Sequence, residues 1–546
     1  MSTLLDLLGK PDDDGEKKPS SLWNLLGSGG SIEDASRTRT EREVPCAVEF
    51  NDQQMFWAMR NLPISEATKH FLMCGATGSG KSVNIQLFLQ SIANRFKAGN
   101  PRAEQLIIFD AKYDVIPMLS ALGLKLSDPD NPTESDHPNI WLINPYDRRS
   151  AEWNLSEITN TPTMARHVAT LLIPEDRYSS GGSKYFTDAG RELVLATIIA
   201  LGHIAGDDWT LRDLLCALSS RESIRLVTEQ HKKRAAQLAA RILDDEQHSP
   251  GVLSGIGSRL GQYEQIAALW HSQKKRRVFS ITEFLTKPGV LILGNDPVLR
   301  DSLWPINAIL LKSLTSEILR GSETFMPRHW FLLDEFRAME RLDCMPDLLN
   351  RGRSMGASVM IGLQGIEGLA DNKVYGWAQT QEMLGQCGYK TFLRVGGPET
   401  ADWAQRLFGQ TRYTEARHSE SWGKSGYSHS TNYDVIDRMA FLASTFMNLP
   451  FPVPDGVFES INDVPCFRST IRVKAPFNTL LNWRKPKDPN IKALEPRSSI
   501  VEQTLESWKP KEQLFFFGKR KPKDEEKTGG KKGRKRKPKK LPQRDE

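Results

Sequence analysis

The chain has 546 residues, 39% hydrophobic and 26% charged, a soluble-globular composition with room for two to four domains and a large core. Its six cysteines, at positions 46, 74, 216, 344, 387 and 466, form no C-x-x-C pair. That spacing suggests neither a zinc site nor a disulfide framework and fits a reducing cytoplasm. The net charge of +6 is uneven: residues 519–546 carry 14 Lys and Arg against 5 Asp and Glu, a balance of +9 that leaves −3 for the first 518 residues.

The N-terminus "MSTLLDLLGKPDDDGEKK" has neither a basic region nor a long apolar core, so it is not a secretory signal. Residues 1–45 read as a disordered leader, with "GSGGS" (27–31) as a flexible stretch. Alternating strand and helix patterns begin near Cys46, and residues 46–158 form the first part of a nucleotide-binding domain. There "HFLMCG" (70–75) is a short buried strand leading into "CGATGSGKSVN" (74–84). The G-x-x-x-x-G-K-[ST] spacing is met by Gly75, Gly80, Lys81 and Ser82, with Ala76, Thr77, Gly78 and Ser79 between. Glycines let successive backbone N–H groups converge on phosphate, Lys81 offsets β/γ charge, and the Ser82 hydroxyl is placed for Mg²⁺; the cofactors are ATP and Mg²⁺. Val83, Leu87, Phe88, Ser91, Ile92 and Phe96 then follow near helical spacing. "LIIFDAK" (106–112) is another apolar run, and it stops at Asp110.

From 159 to 280 strand signal gives way to helical stretches, an all-helical insertion. "TPTMARHVATLLI" (161–173) has Thr161 as N-cap and Pro162 in its first turn. "ELVLATIIAL" (192–201), "TLRDLLCAL" (210–218) and "KKRAAQLAARIL" (232–243) follow. The most apolar stretch, "LVLATIIALGHIAG" (193–206), is too short for the ~20 residues of a membrane span and contains His203, so it reads as a core helix.

The second part of the nucleotide-binding domain, 281–480, opens on "GVLILGND" (289–296), which stops at Asn295 and Asp296. In "HWFLLDEF" (329–336) the apolar run ends at Asp334 and Glu335, the first acid suited to the metal and its waters, the second to taking a proton from attacking water. "ASVMIGLQ" (357–364) ends at Gln364, which is either a γ-phosphate or water-orienting group or a satisfied strand-end amide. Ligands in open parallel sheets gather outside such carboxyl ends. "YKTFLRVG" (389–396) is followed by a Ser/His/Tyr-rich polar loop (411–434), a Pro-rich "NLPFPVPDG" (448–456) and a strand "CFRSTIRV" (466–473). Residues 481–546 read as a linker and a basic disordered tail; its "KKGRKRKPKK" (531–540) suits nucleic acid, an anionic membrane, nuclear import or plain solubilisation.

"GATGSGKS" (75–82), "FDAKYD" (109–114), "NPYDRRSAEWN" (144–154), "LLDEF" (332–336) and "NRGRSMGASVMIGLQGIEGL" (350–369), with the segment 375–409, resemble in order and spacing the type IV coupling proteins of bacterial conjugation, the TraG/TraD-like ATPases. The likeness runs from about residue 65 to 475. It implies an α/β fold: a RecA-like P-loop NTPase sheet with an inserted all-helical domain and disordered termini. It also implies a homo-hexameric, DNA-stimulated ATPase that binds DNA and delivers it with its relaxase to a type IV secretion channel. By the same resemblance Gly75 to Ser82 hold nucleotide, Ser82 and Asp334 hold the metal, and Glu335 and Gln364 serve water and γ-phosphate. Arg353 reaches into a neighbouring subunit's site. Family members usually begin with two transmembrane helices, which this sequence lacks; the expectation is a cytoplasmic protein, peripheral at the inner membrane face through a separate anchor. The alternatives are a soluble FtsK/HerA-like DNA translocase or packaging ATPase, and an ATP-ordered recruitment module.

Overall fold

Strands buried on both faces need apolar residues at every position, and the runs noted above become the centre of one sheet. The computed structural model describes residues 38–41, 52–128, 137–174, 181–231, 233–272, 277–295, 300–423, 426–497 and 504–518. The leader apart from 38–41, Asp296 and the tail from 519 onward lie outside the described residues. The sheet is built from β1 (Thr38–Glu41), β2 (Phe71–Cys74), β3 (Gln105–Asp110), β4 (Ile140–Ile143), β5 (Gly289–Gly294), β6 (Thr324–Leu333), β7 (Met355–Leu363), β8 (Tyr389–Phe392), β9 (Val457–Val464) and β10 (Ser469–Pro476). Their order is β1–β10–β9–β8–β2–β7–β6–β3–β5–β4. β9 runs against β8 and β10, while the other pairings are parallel.

Successive strand residues point to opposite faces, and two cores result. Leu72, Cys74, Ile107, Phe109, Leu291, Leu293, Phe331 and Leu333 enter the larger. Their neighbours Phe71, Met73, Leu106, Ile108, Val290, Ile292, Trp330 and Leu332 enter the other, which is closed by helix α1 (Lys81–Ile92) through Ile85, Leu87 and Phe88.

The larger core continues into the helices between Trp153 and Val278: α2 (Pro162–Leu172), α3 (Gly181–Ala205), α4 (Leu211–Ala217), α5 (Arg221–Thr228), α6 (Ala235–Leu243), α7 (Ser249–Leu260) and α8 (Glu264–His271). Thr161 caps α2, its side chain accepting from the Met164 N–H, with Pro162 in the first turn. The apolar stretch at 193–206 falls on α3, where Leu193, Val194, Ala196 and Leu201 are fully buried. A further helix, α9 (Arg300–Leu319), packs into the same core ahead of β6. Among the described residues no helix is long and apolar enough to cross a membrane.

Three expectations are corrected. Residues 38–41 of the expected disordered leader form strand β1, paired with β10 from Thr38↔Thr470 to Glu41↔Val473, because an unpaired sheet edge offers any extended segment its backbone partners. The polar stretch at 411–434 is not a loop but a two-stranded hairpin, Gln410–Gly423 paired with Gly426–Met439 from Gln410↔Met439 to Gly423↔Gly426. The ladder satisfies its backbone without any apolar face, so hydrophobic alternation could not signal it. The linker expected from residue 481 is packed chain at 481–497 and again at 504–518. The Arg149 guanidinium, buried against Asp147, donates to the carbonyls of Lys492 and Ala493. Arg212 on α4 donates to the carbonyls of Glu506 and Ser507 and, in a fork, to Glu512 of α10 (Pro510–Phe517). Trp508 Nε1 donates to Asp213. These contacts join residues 294 to 344 apart, which no local pattern records.

Candidate functional site

β2 ends at Cys74 and the chain turns at once into the glycine-rich loop, whose base is tied to the flanking strands. The Gly75 N–H donates to Leu363 O at 2.9 Å and the Ala76 N–H to Arg394 O at 2.7 Å. Gly80, at φ 90°, occupies the left-handed conformation before the first residue of α1, one that a side chain would strain. The Pro-rich segment closes over the loop: Phe451 lies near Gly78 and Pro452 near Gly80, and the Arg394 guanidinium stacks 4.4 Å from the Phe451 ring centre.

Lys81 opens α1 and is only 6% exposed. Its ammonium is 3.5 Å from Glu335 Oε2, 3.9 Å from Asp334 Oδ1 and 3.4 Å from Asp334 O. It is thus buried among the carboxylates that close β6. Gln364, directly after β7, donates from Nε2 to Glu335 Oε2 at 3.0 Å and accepts from Thr77 Oγ1 at 3.4 Å. Between β6 and β7 the backbones touch, because a Cβ on Gly362 would stand 2.2 Å from Asp334 O. Loop, acids and amide therefore meet at the carboxyl ends of adjacent strands, as expected for an open parallel sheet.

Lys112 completes the cluster; it stands within the "FDAKYD" segment of the resemblance, to which no role was assigned. Two residues beyond the end of β3, its Nζ donates to Asp334 Oδ2 at 2.7 Å and to Ser82 Oγ at 3.1 Å. Burial acts to lower its pKa, but Asp334, through charge and hydrogen bond, and Glu335 outweigh it and hold the ammonium above the usual amine range. The available signal was position, a basic residue just past a strand-ending acid at the edge where ligands gather. That acid, Asp110, is itself 4% exposed and accepts from the Asp114 N–H; burial raises its carboxyl to about 6.

Arg353 is not in this cluster. It precedes β7, whose nine residues span about 30 Å, so it lies at the opposite end of the sheet from Gln364. Its charge is felt instead by Glu66 and His70, just before β2.

The residues present suit a magnesium nucleotide. Ser79 Oγ and Asp334 Oδ1 are buried without a hydrogen-bond partner. Ser82 and Asp334 converge on one cation already, the Lys112 ammonium. Hard oxygen donors of this kind are what Mg²⁺ takes.

Residues 57–472 match the family model described as the type IV secretion-system coupling protein DNA-binding domain. The chain belongs to this family. It is 22% identical over 450 residues to the conjugal transfer protein TraG of Rhizobium radiobacter, covering 78% of this chain and 66% of that protein. The fold is similar to that of the bacterial conjugative coupling protein TrwBdeltaN70 in its unbound monoclinic form, with TM-score 0.61, 19% identity, and coverage of 83% of this chain and 93% of that one. The plasmid coupling protein TrwB in complex with ADP and Mg²⁺ is similar at TM-score 0.58 and 19% identity, over 82% of this chain and 94% of that one. Within this coupling-protein fold the motif at 144–154 is structural: Asn144, Asp147 and Ser150 organise a turn, and Arg149 fastens residues 492 and 493 to it.

Proposed function

We propose that this chain is the ATP-driven coupling protein of a type IV secretion or conjugation system, binding DNA and delivering a relaxase–DNA substrate to the transfer channel. The observation that carries the reading is the convergence of Lys81, Asp334, Glu335 and Gln364 on the phosphate-binding loop, in a member of the coupling-protein family. Residues 75–82 cradle the phosphates, and Ser82 and Asp334 hold Mg²⁺. Bound Mg²⁺ supplies charge that offsets the phosphate oxygens. Glu335 takes a proton from attacking water, and Gln364 fixes the Glu335 carboxylate for that task.

In this reading nucleotide-binding segments 46–158 and 281–480 form one unit interrupted by the helical domain, 159–280. The active form is a homo-hexamer in which Arg353 serves a neighbour's site; its place at the far end of the sheet from its own loop supports a contact in trans. The protein works in the cytoplasm, peripheral at the inner membrane face through a separate anchor or channel component, and the five cysteines of the described residues, all free, suit that compartment.

ATP turnover measured with and without DNA tests the proposal. Stimulation by DNA, with co-purification of a relaxase, supports a coupling protein. Stimulation without any relaxase points to a translocase, and slow, DNA-indifferent turnover with nucleotide-dependent assembly points to a recruitment module.

A further inference from the structure

The cation held between Ser82 and Asp334 belongs to the chain itself. Lys112 Nζ lies 3.1 Å from Ser82 Oγ and 2.7 Å from Asp334 Oδ2, the two groups assigned above to Mg²⁺. Four charged side chains meet here, Lys81 and Lys112 against Asp334 and Glu335, and their formal charges cancel. A divalent cation arriving alone finds Asp334 and Glu335 already matched by the two ammonium groups and must break a charge-assisted hydrogen bond to reach Asp334. A nucleotide changes both conditions, because its phosphates bring negative charge and give the ammonium another partner. Lys112 is suited to such an exchange. Its side chain is 38% exposed, it sits in the loop after β3, and its stem is flexible.

We propose that Lys112 is a positioning residue that guards the metal site: it holds Ser82 and Asp334 while the loop is without nucleotide, keeps free divalent cations out, and yields to the metal when phosphate arrives with it. The inference rests on Ser82 and Asp334 being the metal ligands. Lysine rather than a small polar residue is required, because only a long cationic chain from the end of β3 spans to both oxygens while carrying the charge that competes with the metal.

The test is Mn²⁺ binding to the full chain, read by electron paramagnetic resonance, with and without ADP, for wild type, Lys112→Met, Lys112→Arg and Asp334→Asn. Met keeps the apolar stem and loses the charge, whereas Arg keeps the charge. Without ADP, Lys112→Met should bind Mn²⁺ about tenfold or more tighter than wild type, since a hydrogen bond to a charged group no longer competes. Lys112→Arg should remain close to wild type, and the gap between wild type and Lys112→Met should narrow with ADP. Equal nucleotide-free Mn²⁺ affinity in wild type and Lys112→Met overturns the inference, as does a Lys112→Arg protein that behaves like Lys112→Met. Unaltered Mn²⁺ binding in Asp334→Asn with ADP has a different meaning: the metal-ligand assignment itself fails and the inference falls with it.

Discussion

Gln364 Nε2 donates to Glu335 Oε2 at 3.0 Å, linking the residue after β7 to the second residue after β6. The same oxygen is 3.5 Å from the Lys81 ammonium, so this carboxylate is aimed by an amide on one side and a cation on the other. A base so held contributes through proton transfer. Glu335→Gln should keep nucleotide binding while turnover falls by roughly 10² to 10⁴, as measured by ATP hydrolysis beside a binding titration. Turnover near wild type would remove Glu335 from the base role.

Lys81→Ala and Arg353→Ala should each lose most ATP turnover, but for different reasons. The first removes charge from the site's own loop and leaves Asp334 still paired to Lys112. The second removes a group at the far end of the sheet that would act on a neighbour, and an arginine finger is worth roughly 10³ to 10⁵ in rate. Mixed together, the two inactive proteins form some interfaces with an intact Lys81 and an intact Arg353. Recovery of partial turnover on mixing is the expected result; no recovery in rings shown to be mixed counts against a contact in trans.

Asp110 makes stability depend on pH in a stated direction. Its folded carboxyl titrates near 6 against an ordinary 3.8, so between those values the folded chain holds a proton that the unfolded chain has released. Stability from this group is therefore greatest below about pH 4, declines as pH rises through 6, and is level above. Asp110→Asn should remove that decline, altering the slope by up to about 1.4 kcal/mol per pH unit. Urea unfolding of both proteins at a series of pH values across the window checks it, and parallel curves would contradict the assignment.

Gly362 allows β7 to lie against the end of β6, where a Cβ would meet Asp334 O at 2.2 Å. Gly362→Ala should cost about 1–3 kcal/mol, the usual penalty of overpacking, and should also depress turnover because the displaced backbone carries Asp334 and Glu335. Denaturant unfolding with ATP hydrolysis measures both. A loss of stability with full activity would separate this contact from the site.

The phosphate loop, the acids after β6 and the amide after β7 were legible because each is a local pattern, an apolar run that stops at a chemically suited residue. Thr161 as a cap and the core helix at 193–206 were legible for the same reason, since capping and periodicity act over a few residues. What the sequence by itself determined is thus the buried strands and helices that carry a local apolar pattern, and the chemistry at their ends. Which ends meet depends on strand order, and only the tertiary structure decided that. Strand order sets β3 beside β6 and so carries Lys112 to an aspartate 222 positions away, while the length of β7 separates Arg353 from its own loop. The hairpin at 410–439 and the docking of Glu512 on Arg212 belong to the same class. Backbone pairing and charge neutralisation between distant segments leave no periodicity for local reading to detect.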